Sequence, residues 1–259
     1  EAFSGWCFDE RGQRIGIAQR FGPFNLVVNT RRISRASAED QGFALADDPG
    51  LRGRFGILEY DDFNIFHLCI AADLNPFLPL NARERDAFSA MATRWYANAA
   101  IATSGHHALN RALVDGDIDF YLSGGVYTVS PARLCGYHEL EAVTPSKGPI
   151  DGRGGIAFAE ITCLVQPSQA GAEVHPDAEA FIQYLLEPDT AIRAAFVEGT
   201  CNPVVQMGNE QVRAAFSKAQ LRAIQWDTLV DDLGRCAHYQ LVPDHDDLLA
   251  RLQAVRRLQ

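Results

Sequence analysis

The sequence predicts an α/β fold built on a largely parallel sheet, and three observations carry that expectation. Strand-like and helix-like segments alternate through the middle of the chain, as crossover helices joining parallel strands require. The run Leu26-Val27-Val28 is apolar on consecutive positions, which suits a strand buried on both faces. The stretch from Gly154 to Leu164 leads from two glycines into a β-rich apolar run holding one carboxylate, Glu160. A bare charge in a buried strand is costly unless something pairs with it. Glu160 therefore faces a cleft at the strand's mouth, has an internal partner, or lies on the wet face of an edge strand, the commonest setting for glutamate.

Taken in order, Asp9-Glu10-Arg11-Gly12 reads as a turn, followed by a short strand from Ile15 to Ala18, a Gly-Pro break and a strand from Asn25 to Asn29. Residues 31–50 are polar and loop-like. Phe55 to Leu58 is a strand, and Phe63, Phe66 and Ile70 fall at helical spacing after it. Asp61 and Asp62 stand at that helix start, where an aspartate caps free N–H groups and its neighbour is able to face a ligand. Asn81-Ala82-Arg83-Glu84 has the form of a capping box, with Phe88, Met91 and Trp95 on one face of the helix it opens. Ser104-Gly105 opens a further helix that stops at Gly116.

The strand from Ile118 to Leu122 runs into Ser123-Gly124-Gly125, with Tyr127 just beyond. A glycine-rich loop there is either a tight turn or a place where backbone approaches a ligand. Leu140 to Val143 is a short strand, and residues 145–155 form a Gly/Pro/Lys-rich connector. Helices follow from Pro176 and up to Val197, then a turn at residues 199–203. The last three helices span Glu210–Phe216, Ala219–Val230 and Asp244–Leu258. Ligands of open α/β sheets bind beyond the carboxyl ends of strands, where Asp61, Asp62, Ser123, Tyr127 and Glu160 are expected.

The bulk numbers narrow the function classes. A chain of 259 residues with 47% hydrophobic and 22% charged residues is ordinary for a globular protein. A net charge of −10 disfavours nucleic acid or an anionic membrane and is compatible with a cationic ligand. No apolar run is long enough to span a membrane, and no signal peptide is visible at Glu1. Cys69 and Cys163 read as small buried hydrophobes; Cys7, Cys135, Cys201 and Cys236 lie near turns and are able to pair in an oxidising compartment. No cysteine pair or histidine spacing marks a metal site, and no nucleophile–base motif, P-loop or dinucleotide fingerprint occurs. A binder is expected rather than an enzyme, with no catalytic residue, metal or cofactor.

Several segments, in order, resemble the periplasmic solute-binding proteins of ABC transporters, in the spermidine/putrescine-binding family. They are residues 21–29 (FGPFNLVVN), 51–62 (LRGRFGILEYDD), 115–119 (DGDID), 154–160 (GGIAFAE), 181–189 (FIQYLLEPD) and 198–203 (EGTCNP). The resemblance implies two α/β lobes joined by crossing segments near Val27–Asn29, Gly154–Ile156 and Pro203–Met207. It divides the chain into a partial N-terminal lobe (1–28 with 155–206) and a C-terminal lobe (29–154 with 207–259). The family's opening strand–helix units have no counterpart here, so the first lobe is expected to be incomplete. The resemblance further implies a monomer outside the inner membrane, its partners a small-molecule ligand and the permease, without nucleic acid.

Carried over residue by residue, Phe158 and Glu160 match the family's aromatic residue and ammonium-binding carboxylate. Asp61 and Asp62 match the acidic pair of the other lobe, and Phe21, Ser123, Tyr127 and Thr200 fall along the same cleft. Three departures stand out: the family's tryptophan aligns near Gly124, its late tyrosine is Thr200, and Arg20 stands where the first lobe's strand meets the cleft. An arginine there suits a carboxylate. The implied ligand is a polyamine or amino-acid-like amine; the alternatives are a small carboxylate or opine-like ligand held by Arg20, and an enzyme or regulator on the same two-lobed fold.

Overall fold

One strand, β1 (Gly16–Asn29), runs for 14 residues through the middle of the molecule and organises the sheet. The computed structural model describes residues 7–165, 175–197 and 199–258. After β1 come α1 (Arg35–Gln41), β2 (Phe55–Leu58), α2 (Asp61–Ala71), α3 (Ala82–Asn98), β3 (Ile101–Thr103), α4 (His106–Asp115), β4 (Phe120–Gly125), α5 (Val126–Leu134), β5 (Leu140–Val143) and β6 (Gly155–Cys163). The remainder holds α6 (Pro176–Leu185), α7 (Pro188–Ala195), a ribbon of β7 (Phe196–Val197) and β8 (Thr200–Cys201), α8 (Glu210–Ala214), α9 (Lys218–Ala223), α10 (Leu229–Gly234), β9 (Cys236–His238) and α11 (His245–Arg256).

The sheet order is β3-β2-β4-β1-β6-β9, with β5 also on β1. It is mixed rather than largely parallel. β2 pairs in parallel with β3 and β4, and β6 with β9, but β1 is antiparallel to β4, β5 and β6. The expected break at Gly22-Pro23 is absent. Pairing passes there from β6, which ends at Pro23↔Ala157, to β4, which begins at Phe24↔Gly125. A proline is tolerated in a strand where its missing N–H costs no ladder bond.

Asn25 fills the gap between the ends of β5 and β6. Its Oδ1 accepts from Ile156 N at 2.8 Å, and its Nδ2 donates to Thr144 Oγ1 at 3.2 Å. A Cβ on Gly155 would come within 2.8 Å of that amide, so glycine is required for the approach. Asn25 is 1% exposed. Replacing it with alanine strands a buried N–H and hydroxyl, and is expected to cost roughly 2 kcal/mol, read as a lowered urea midpoint at unchanged m-value.

Several local readings hold to the residue: β2, β5, the Asn81/Glu84 capping box that opens α3, and the stop of α4 at Gly116. Others are corrected. Residues 31–50 carry α1, capped by Ser34 accepting from Ser37 N. The single helix expected over Ala219–Val230 is two, broken at Gln225 (φ 51°). There the Gln225 side chain bonds both Ala142 N and Ala142 O, at 2.7 and 2.9 Å, and so covers β5. Cys69 is buried, but Cys163 is exposed, while Cys201 and Cys236 are buried. The core joins both faces of the sheet in one cluster; Cys7, Ala18, Phe21 and Leu229 form a second, smaller one. Among the described residues no helix is long and apolar enough to cross a membrane.

Candidate functional site

The strand pairing itself marks Glu160. Ala18 pairs with Ile161 and Phe21 with Ala159, so two residues of β1, Gln19 and Arg20, stand opposite one residue of β6, Glu160. This is a β-bulge, which bends a strand and re-aims its side chains. Arg20 Nε donates to Glu160 Oε2 at 2.7 Å, and a second guanidinium nitrogen contacts the same oxygen. The pair is half open, with side-chain exposures of 18% for Arg20 and 41% for Glu160.

Phe158 lies two residues from Glu160 and so on the same face of β6. Its ring meets Phe24 edge-on at 6.2 Å and Phe63 at 6.4 Å. The cluster continues through Phe24–Phe63 (4.3 Å), Tyr60–Phe63 (5.4 Å) and Phe63–Tyr239 (6.1 Å). Tyr60 and Tyr239 are partly exposed, so the cluster has an apolar floor and a wet rim.

Asp61 and Asp62 stand at the far end of this floor, in the first turn of α2, where their charge suits the helix dipole. Neither caps it. The N-cap is Tyr60, whose N–H is taken by the Asn64 side chain at 3.1 Å. Asp61 pairs with Arg256, and Asp62 accepts from Tyr239 Oη at 2.8 Å and lies 3.0 Å from His245 Nε2. Hydrogen bonding to Asp62, then to Asp246, holds the His245 pKa above its ordinary value. Burial and then Asp62 push the Tyr239 phenol up. Glu59, Tyr60, Asp61 and Asp62 line an open depression of about 300 Å³.

The structure thus brings Glu160, Phe158 and Arg20 together, and an aromatic bridge links them to Asp61 and Asp62. The other expected site residues lie elsewhere. Phe21 is buried in the smaller cluster, its N–H on Pro203 O. Thr200 is fully buried and donates to Val197 O at 2.6 Å. Tyr127, partly buried at the start of α5, has its ring 5.7 Å from His106.

Ser123 is also fully buried, at the bulge where β1 skips from Gly124 to Leu122, with φ 62°. Its hydroxyl is held by Asn64 Nδ2 at 2.7 Å and His67 Nδ1 at 2.9 Å, which anchor a residue in a left-handed conformation that serine rarely adopts. His67 Nε2 in turn meets Phe24 O at 2.8 Å. A carbonyl only accepts, so Nε2 carries the proton and Nδ1 accepts from Ser123. Ser123 is therefore tied through His67 to the backbone of Phe24.

Sequence reasoning missed Phe24, Tyr60, Phe63, Tyr239, Arg256 and His245. Tyr60 had a local signal, its place immediately before the acidic pair. Tyr239, His245 and Arg256 come from the distant C-terminal segment and had none. Among the described residues no group of three or more His, Cys, Asp or Glu is arranged to hold a metal ion.

This mixed sheet with its surrounding helices is the two-lobed periplasmic-binding-protein fold. The chain is similar to a putative spermidine/putrescine ABC transporter protein from Listeria monocytogenes, at 13% identity and TM-score 0.65, over 98% of this chain and 75% of that one. It is similar to the TpPotD lipoprotein of Treponema pallidum, at 16% identity and TM-score 0.62, over 93% and 69%. It is also similar to the binding protein MotA from A. tumefaciens B6, solved with glucopine, at 12% identity and TM-score 0.62, over 98% and 75%. At such identities the likeness defines the fold. No protein-family model matches the sequence, and no curated protein matches it.

Proposed function

We propose that the chain is the solute-binding component of an ABC importer, working outside the inner membrane and delivering a small polar ligand to a permease. The observation that carries this reading is Glu160 beside Phe158 on one face of β6, joined by aromatic rings to the acidic rim of α2. A carboxylate holds an ammonium and aromatic faces hold the methylenes and the cation. The two-lobed fold supports it, as do the fold neighbours given above, one described as a putative spermidine/putrescine ABC transporter and one as a binding protein in complex with glucopine.

In this reading residues 1–28 with 155–206 form one lobe and 29–154 with 207–259 the other. The packing of α11 against α2 and α3 is consistent with the second grouping. Closure of the lobes buries the ligand between Glu160 and Asp61/Asp62, and desolvation sharpens the choice of ligand.

Thermal-shift screening against polyamines, amino acids and small carboxylates tests the reading, since a ligand that binds only the folded chain raises its midpoint. Glu160→Ala is expected to weaken the amine ligand so found by roughly 30- to 100-fold, about 2–3 kcal/mol, with the fold retained. Unchanged affinity by calorimetry would remove Glu160 from the site.

A further inference from the structure

Glu160 and every carboxylate of the rim at Glu59–Asp62 already have a partner. Glu59 and Asp61 are held by Arg256, Asp62 by Tyr239 and His245, and Glu160 by Arg20. Arg20 is the distinctive one. The bulge in β1 turns it onto Glu160, and its side chain is the less exposed of the two, 18% against 41%. Among the described residues Glu160 is the acid within ion-pair reach of Arg20.

An incoming polyamine would have to take Glu160 from Arg20. That leaves a guanidinium without a counter-charge beside a second cation, as the lobes close around both. A half-buried charge deprived of its partner is costly. A simple carboxylate has the converse fault, since it displaces Glu160 and leaves an anion unpartnered.

A ligand carrying both charges has neither fault. Its ammonium takes Glu160, its carboxylate takes the planar fork of Arg20, and each protein charge exchanges one partner for another. Phe158, on the same face of β6, offers a ring to the rest of the ligand.

We infer that the solute class of this site is a zwitterion with neighbouring ammonium and carboxylate groups, as in a free α-amino acid, inserted between Glu160 and Arg20. The inference rests on the solute-binding reading above.

The test is calorimetry on the full chain with a panel of free L-amino acids, putrescine, spermidine and succinate. For any amino acid that binds, its decarboxylated amine and its 2-oxo acid are run beside it. At least one amino acid binds, and each of its two single-charge analogues binds roughly a hundredfold more weakly. Arg20→Met and Glu160→Gln each lose the amino acid by a similar factor, and circular dichroism confirms that both variants fold.

Binding of putrescine or spermidine in preference to every amino acid, retained in Arg20→Met, overturns the inference and leaves the solute-binding reading intact. Succinate binding that survives Glu160→Gln overturns it likewise. Failure of all the probes overturns both.

Discussion

Arg133→Met is expected to destabilise the protein by roughly 2–4 kcal/mol, because buried carbonyls lose a charged donor and are left unsatisfied. Arg133 is 5% exposed and is met by carbonyls. Its Nη1 donates to His138 O and Leu140 O, both at 2.7 Å, its Nη2 to Arg222 O at 2.8 Å, and its Nε to Ala223 O at 3.2 Å. Arg222 and Ala223 end α9, where the carbonyls make the negative pole of the helix. The guanidinium therefore fastens α9 to α5 and to the segment entering β5. Burial holds its pKa below the ordinary arginine value, and the nearby acids Glu141 and Asp227 oppose that fall. Methionine fills a similar volume and satisfies none of the four carbonyls. Urea unfolding of the two proteins is the measurement, and a loss under about 1 kcal/mol would show that water or rearranged backbone replaces the contacts.

A second large effect concerns acid. His67 is fully buried, and burial pushes its pKa down to about 3 against an ordinary 6.5, with the bond to Phe24 O opposing. Above pH 6.5 the imidazole is neutral in both folded and unfolded chains and contributes no pH dependence. Between 6.5 and about 3 the unfolded chain binds a proton that the folded chain refuses, so stability falls as pH falls. One histidine in this position contributes up to roughly 1.4 kcal/mol per pH unit. Urea unfolding at pH 7.5, 6 and 4.5 is expected to show a loss of stability toward acid that is steeper in the parent than in His67→Gln, by up to that slope. Equal slopes in the two proteins would place a proton on His67 in the folded state.

What the sequence disclosed was local. The Asn81/Glu84 box, the glycine after α4 and the short apolar run of β2 each act within a few residues, so each could be read without knowing its neighbours in space. What stayed hidden was settled by contacts far along the chain. Gly22-Pro23 has the composition of a break, yet the strand continues because β6 and β4 take over from each other there. Gln225 interrupts a helix because its amide is required at β5.

The candidate site divides in the same way. Glu160 and Phe158 were legible as a charge and a ring two residues apart in a strand, and Asp61/Asp62 as acids at a helix start. The Arg20 contact depends on an extra residue in β1, which no periodicity within β1 reveals. Tyr239, His245 and Arg256 reach the acidic rim from the C-terminal segment, through a tertiary fold that had to form first.

The reach of β1 also bears on how the molecule is made. This strand is synthesised before its partners, which lie at residues 120–125, 140–143 and 155–163. Until they leave the ribosome, the apolar residues Leu26, Val27 and Val28 have no ladder to join and are open to mispairing with other nascent chains. Closure of the centre must wait on long-range loops, so folding is expected to be slow for the chain's size, with early collapse confined to the segment from β2 to β4.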